Sequence, residues 1–189
     1  MAGPLIWLVR HGETDFNREP ARVQGHTDVP LNRRGRGQAS ALAQRIAAGA
    51  GRRPVGLYTS HLLRARETAG VIGAALGIEP VVDERLAESR RGVWEGRLWA
   101  DIRREDPDGY AAWRGAGAGF RFPGGESLAE QMERVVACLT EVARAPDALP
   151  AVIACHGGTI RVALCHARRR GLDAFHEWDV PNGALIGLR

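Results

Sequence analysis

Three apolar runs of strand length, each ending on residues that can carry chemistry, constrain this chain most. Leu5–Val9 is closed by Arg10-His11-Gly12, Val55–Thr59 by Ser60-His61, and Ala151–Cys155 by His156-Gly157-Gly158. Runs this short and this apolar read as strands buried on both faces of a sheet. Helical spacing fills the intervals. Ala39, Leu42, Ala43 and Ile46 keep it over Gly35–Ala48, and Leu62, Ala65, Ala69, Ile72 and Leu76 keep it over Leu62–Leu76. Leu128, Met132, Val135, Val136, Leu139 and Val142 keep it over Glu126–Arg144, where Pro146 stops the helix, and Thr159–Arg168 is a further helix. Val81–Val82 and Ala184–Leu188 add two strands, the second after the turn at Pro181-Asn182-Gly183. Strands alternating with helices predict an α/β fold with a mostly parallel central sheet flanked by helices in three layers. At 189 residues the chain is expected to be a single domain, 1–189. Asp15–Asn32 reads as a structured loop. Residues 90–125, with Trp94, Trp99 and Trp113 among arginines and glycines, read as an irregular insertion over the strand ends.

Composition narrows the function classes. All 26 basic residues are arginines, against 22 acidic ones, for a net charge of +4. A GC-rich genome gives such a bias without functional pressure. The lack of lysine does exclude a Schiff base, a lysine general base and a P-loop lysine. Cys138, Cys155 and Cys165 form no CxxC and no disulfide framework, and read as reduced, buried residues. No apolar run approaches the ~18–20 residues of a bilayer span. Pro4–Val9 is too short for a signal-peptide core and lacks a basic leader, so the expected location is cytoplasmic.

Ligands of open α/β sheets bind outside the carboxyl ends of the strands. That edge receives Arg10 and His11 from the first run, Arg64 one turn beyond the second, His156 from the last, and Glu88 from the segment after Val81–Val82. The set suits a phosphate ester. Arginine forks pair with a phosphate dianion. A neutral imidazole can attack phosphorus, and a carboxyl group can protonate the leaving oxygen. Gly157 and Gly158 open a helix whose N–H groups can face an anion. The nearby arginines are expected to depress the pKa of His11.

These residues resemble a known family. Arg10-His11-Gly12-Glu13-Thr14 matches the opening motif of the histidine phosphatase superfamily, the phosphoglycerate mutase-like proteins. The likeness continues, in the family's order, through Gln24-Gly25-His26-Thr27-Asp28-Val29-Pro30-Leu31, Ser60-His61-Leu62-Leu63-Arg64-Ala65, and Leu86-Ala87-Glu88 with Gly92 and Trp94-Glu95-Gly96. Pro123-Gly124-Gly125-Glu126-Ser127 and His156-Gly157-Gly158 complete it. The resemblance implies that His11 is the nucleophile that becomes phosphohistidine and that Glu88 is the acid/base. It places Arg10, Arg64 and His156 in the phosphate pocket, and Asn17 as a further phosphate contact. Gln24, Gly25 and Gly157 are expected to border the substrate. No metal and no cofactor are implied.

The expected activity is a metal-independent phosphatase acting on small phosphorylated metabolites. The rivals are mutase-type phosphoryl transfer and a phospho-ligand-binding protein with little turnover. The chain is short and lysine-free between Glu88 and His156, which favours the phosphatase over the mutase. No nucleic-acid or membrane partner is expected, since the positive charge is spread along the chain without aromatic interleaving. Exposed edges of such sheets often pair, so a homodimer is an expectation. Arg91 stands where the family often has a large apolar residue. Arg90 and Arg91 are expected to face solvent, the alternative being that one of them reaches the pocket and meets a second anionic group. His26, His61, His166 and His176 are read as surface or core residues, and Gly115–Gly119 as flexible loop. Trp94, Trp99, Trp113, Phe120 and Phe122 offer an apolar wall over the pocket.

Overall fold

The apolar runs become the centre of one five-stranded sheet in the computed structural model, which describes residues 5–49, 53–115 and 117–188. Pro4 and Ala116, which entered the sequence reading, lie outside these residues. Strands β1 (Ile6–Arg10), β2 (Gly56–Thr59), β3 (Val81–Val82), β4 (Ala151–Cys155) and β5 (Leu185–Leu188) lie in the order β3-β2-β4-β1-β5. All neighbours run parallel except β5, which is antiparallel to β1. The register sets Arg10 beside Cys155, so the residues that follow both strands emerge together.

Side-chain alternation divides the core into two layers. Ile6, Leu8, Ala151, Ile153 and Cys155 face helices α5 (Leu128–Ala143) and α6 (Gly157–Ala167). Val9, Leu57 and Val152 face α1 (Arg33–Ala47) and α2 (Leu63–Leu76). The adjacent strands β1 and β4 therefore send their following helices, α1 and α6, to opposite faces. This is a topological switch point, where a crevice opens at the strand ends. Among the described residues no helix is long and apolar enough to cross a membrane.

Most predicted elements stand within two residues of their expected limits, and caps account for the differences. The fifth helix begins at Leu128, not Glu126, because the Ser127 hydroxyl accepts from the Glu130 N–H while the Glu130 carboxylate accepts from the Ser127 N–H. The sixth begins at Gly157, before Thr159, because extended His156 serves as its N-cap. On α5 the buried stripe is Leu128, Gln131, Val135, Cys138 and Val142, so Met132, Val136 and Leu139 are only half-buried. Residues 90–125 form α3 (Trp99–Glu105) and α4 (Pro107–Arg114) with connecting loops. After β1 the chain presses on the first turn of α1: a Cβ on Gly12 would collide with the Gly35 carbonyl oxygen.

Ile153 sits fully buried at the centre of the sheet. Ile153→Ala is expected to cost about 2–5 kcal/mol, because a close-packed central position leaves a cavity that cannot collapse. Urea unfolding measures this, and a loss below about 1 kcal/mol would contradict the packing described.

Candidate active site

The crevice holds a cavity of about 200 Å³ lined by Arg10, His11, Asn17, Arg22, Gln24, Gly25, Arg64, Glu88, Arg91, Trp99, Trp113, Gly157, Gly158 and Arg161. The strand ends thus bring together nearly every residue expected there. His156 lies directly behind, its ring centroid 5.2 Å from that of His11.

Two arginines are buried and anchored. Arg64 donates from Nη1 to the Thr27 carbonyl at 3.0 Å and from Nη2 to the Gly25 carbonyl at 2.7 Å, and Arg10 donates from Nη1 to the Val180 carbonyl at 2.5 Å. Backbone dipoles fix both forks, and the Nε donor of each is buried without a partner among the described residues. Burial lowers the pKa of each arginine to about 10, Glu88 opposing, so both remain cationic at neutral pH. Gly25 therefore supports the pocket through its carbonyl grip on Arg64. Asn17 accepts at Oδ1 from the Thr14 N–H and from Asn182 Nδ2, each at 3.1 Å, which leaves its own amide N–H groups for the cavity. Gln24 Oε1 is buried without a partner.

The histidines are held neutral. His11 Nδ1 lies 2.7 Å from the Gly12 carbonyl, and a carbonyl only accepts, so Nδ1 carries the proton and Nε2 the lone pair. Burial, then the charges of Arg64 and Arg10, keep the His11 pKa well below 6.5. The arginines act in the expected direction, and burial, which the sequence pattern does not show, contributes more. His156 is lowered likewise by burial, Arg64, His11 and Arg10, and neither of its ring nitrogens has a partner among the described residues.

Among the described residues, Glu88 is the one carboxylate lining this cavity. Its Oε2 accepts from the Gly158 N–H at 3.0 Å, and its Oε1 accepts from the Ser89 N–H at 2.9 Å and Gln131 Nε2 at 3.2 Å. Burial alone would raise its pKa, but Arg91, the two backbone N–H groups and Arg64 outweigh that and hold it at about 2. One expectation changes here, because the Gly158 N–H is used by Glu88 and leaves only Gly157 to face an incoming anion. Gly158 also has no room for a side chain, since a Cβ would strike Glu88 Oε1.

The structure corrects three other expectations. Arg91 does not face solvent: it is 9% exposed, lines the cavity, and lies between the rings of Trp99 and Phe122, while Arg90 is exposed. The aromatic wall reduces to Trp99 and Trp113, stacked at 4.4 Å; Trp94 and Phe122 fill the core beneath, and Phe120 packs on them. His26 belongs to the site rim, where its Nε2 donates to the Glu88 carbonyl at 2.9 Å and its ring faces that of His61. His176 braces the wall by donating to the Trp113 carbonyl at 2.8 Å. Sequence reasoning missed Ser89, Gln131, Asn182 and Arg161. Gln131 had a signal, being polar at a core-spaced position on α5, and Arg161 lies one helical turn after Gly157.

Comparison with known proteins places the chain. Residues 6–189 match the family model of the histidine phosphatase superfamily, branch 1. The chain is 35% identical to phosphoglycerate mutase-like protein 4 of Arabidopsis thaliana, over 86% of this chain and 70% of that one. It is 34% identical to the metal-independent phosphoserine phosphatase of the same plant, over 82% of this chain and 65% of that one. Its fold superposes on mycobacterial glucosyl-3-phosphoglycerate phosphatase, solved as a complex with VO3, with a TM-score of 0.86 and 31% identity, covering 96% of this chain and 90% of that one. The chain belongs to the histidine phosphatase superfamily. It is a phosphoric monoester hydrolase of that kind.

Two neutral buried histidines make stability acid-sensitive in a defined direction. Their folded pKa values lie below the unfolded one, so below about pH 6.5 the unfolded chain binds protons that the folded chain does not. Stability is expected to fall from pH 6.5 toward pH 5, each histidine adding a slope approaching ~1.4 kcal/mol per pH unit. Urea midpoints across that range test this, and a flat profile would contradict neutral burial.

Proposed function

We propose that the chain hydrolyses small phosphate monoesters without metal, through a phosphohistidine on His11. The observation that carries this reading is His11 itself: a neutral imidazole, its Nδ1 proton fixed on Gly12, its Nε2 lone pair among cations whose Nε donors are unpartnered. The phosphoryl group takes Arg10, Arg64, Asn17, His156 and the Gly157 N–H as partners, with Gln24 and Gly25 bordering it. The Nε2 lone pair forms the N–P bond as the ester P–O bond breaks. Glu88 supplies the proton to the leaving oxygen, and its carboxylate then takes one from the water that splits the N–P bond.

Glu88 starts ionised, so its proton must be acquired. A phosphate dianion beside it adds negative charge and occupies the same arginines, and both effects raise the pKa of the carboxyl. Protonation of the acid is in this way linked to substrate binding. Among the described residues no group of three or more His, Cys, Asp or Glu side chains is arranged to hold a metal ion. The relatives support the substrate class, being named for phosphoserine and for glucosyl-3-phosphoglycerate. A cytoplasmic setting belongs to the same reading, and three buried free thiols at Cys138, Cys155 and Cys165 accord with it.

Phosphate release from a panel of monoesters in EDTA tests the proposal. The wild type is expected to turn over, His11→Ala to lose activity, and Glu88→Gln to lose about 10²–10⁴-fold in kcat. Turnover retained by His11→Ala would overturn the nucleophile. Transfer to a second hydroxyl without phosphate release would replace hydrolysis by mutase chemistry.

A further inference from the structure

The lining of the cavity carries more positive charge than one phosphate uses. Five arginines, Arg10, Arg22, Arg64, Arg91 and Arg161, face one carboxylate, Glu88. A bound phosphate dianion would leave two cationic charges over among the lining residues, exposed Arg22 being one of the five, and the other carboxylates acting on the cluster, Asp28 on Arg64 and Asp179 on Arg10 and Arg161, are exposed and lie outside the lining. The five are also held differently. Arg10 and Arg64 are pinned on backbone carbonyls, Arg22 on the Gly96 carbonyl at 2.8 Å, and Arg161 by its Nε on the Trp178 carbonyl at 3.0 Å.

Arg91 alone among them is unpinned. Its guanidinium makes no hydrogen bond to any described residue, and its Nε is buried without a partner. Its nearest anionic atom, Glu88 Oε2, is 3.7 Å away, beyond hydrogen-bond reach. Rings hold it in place of acceptors: the guanidinium carbon lies 5.5 Å from the Trp99 centroid and 5.1 Å from that of Phe122. A buried guanidinium that lines the cavity with unused donors is available to bind an anionic group there.

On the phosphatase reading given above, we infer that Arg91, backed by Arg161, forms a second-anion subsite that selects esters bearing a carboxylate or second phosphate on the leaving group. The anchored pair, Arg10 and Arg64, serves the phosphoryl group. The unanchored one swings its fork from the face of Trp99 to the leaving group. The Trp113 Nε1–H, also buried without a partner, lines the same side of the cavity and offers a neutral donor there. Engagement of Arg91 draws its charge away from Glu88 and so favours the protonated acid at the moment the leaving group needs it.

The test compares isosteres. 3-Phosphoglycerate and glycerol 3-phosphate differ in one position, a carboxylate against a neutral hydroxymethyl group, and 1,3-propanediol bisphosphate supplies a second phosphate. The wild type is expected to prefer at least one of the two esters with a second anionic group over glycerol 3-phosphate by roughly tenfold or more in kcat/KM, the size of a charge-assisted contact. Which one it prefers identifies the anion. Arg91→Met is expected to bring that ratio close to one, and Arg91→Lys to restore part of it. The ratio cancels any loss common to all esters, including damage to Glu88. Calorimetric binding of the same three esters to His11→Ala reads the subsite without turnover. No preference in the wild type by either measure, or a preference that survives Arg91→Met, would overturn the subsite. Preferential binding without phosphate release from any ester would instead overturn the phosphatase reading and leave the subsite standing.

Discussion

Burial of cationic charge is the constraint on which the rest of this structure depends. Arg64 is fully buried and Arg10 lies beside it, each repelling the other. Desolvating a guanidinium is costly unless its donors are satisfied. The fold meets that cost with backbone carbonyls of Gly25, Thr27 and Val180, which lie in loops far apart in sequence. The loop from 15 to 32 and the segment before β5 are thus tied to the cavity by the arginines they hold. The Nε donors of Arg10 and Arg64, without a partner among the described residues, are where the proposed phosphoryl group would bind.

The sheet supplies the complementary constraint, which is position. Parallel pairing of β1 with β4 puts His11 and His156 at one rim, and the opposite-face departure of α1 and α6 keeps the crevice between them open. Gly12 then lets the backbone turn against α1, and Gly158 lets the N-terminus of α6 close on Glu88. Larger side chains at either place would displace the catalytic candidates. The glycines beside both histidines are therefore part of the site's geometry, although neither contributes a side chain to it.

Much of this was legible in the sequence because it rests on local pattern. Strand-length apolar runs and 3.6-residue spacing marked the elements, and the strand-end rule gathered Arg10, His11, Arg64, Glu88 and His156 at one edge before any coordinates. What was not legible rests on packing between distant segments. Gln131 on α5 reaches Glu88, and Asn182 orients Asn17, through contacts that sequence spacing does not encode. Arg91 shows the limit most plainly. An arginine pair beside a glycine reads as surface charge, and only the rings of Trp99 and Phe122 turn one member inward.

On the proposed mechanism, the field that helps keep His11 a neutral nucleophile also keeps Glu88 ionised until an ester binds. Arg64 lies among the causes of both shifts, suppressing the proton on the imidazole and stripping it from the carboxyl. Within the protein, Arg64 cannot relieve the carboxyl without also releasing the imidazole. An anion can. Two negative charges bound between Arg10 and Arg64 weaken the field where Glu88 feels it, while the Gly12 carbonyl still holds the His11 tautomer through a local hydrogen bond. The proton on His11 Nδ1 is set by geometry and the proton on Glu88 by charge. Substrate binding can therefore switch the second without disturbing the first, and the pocket reaches its working protonation state only when the ester is in place.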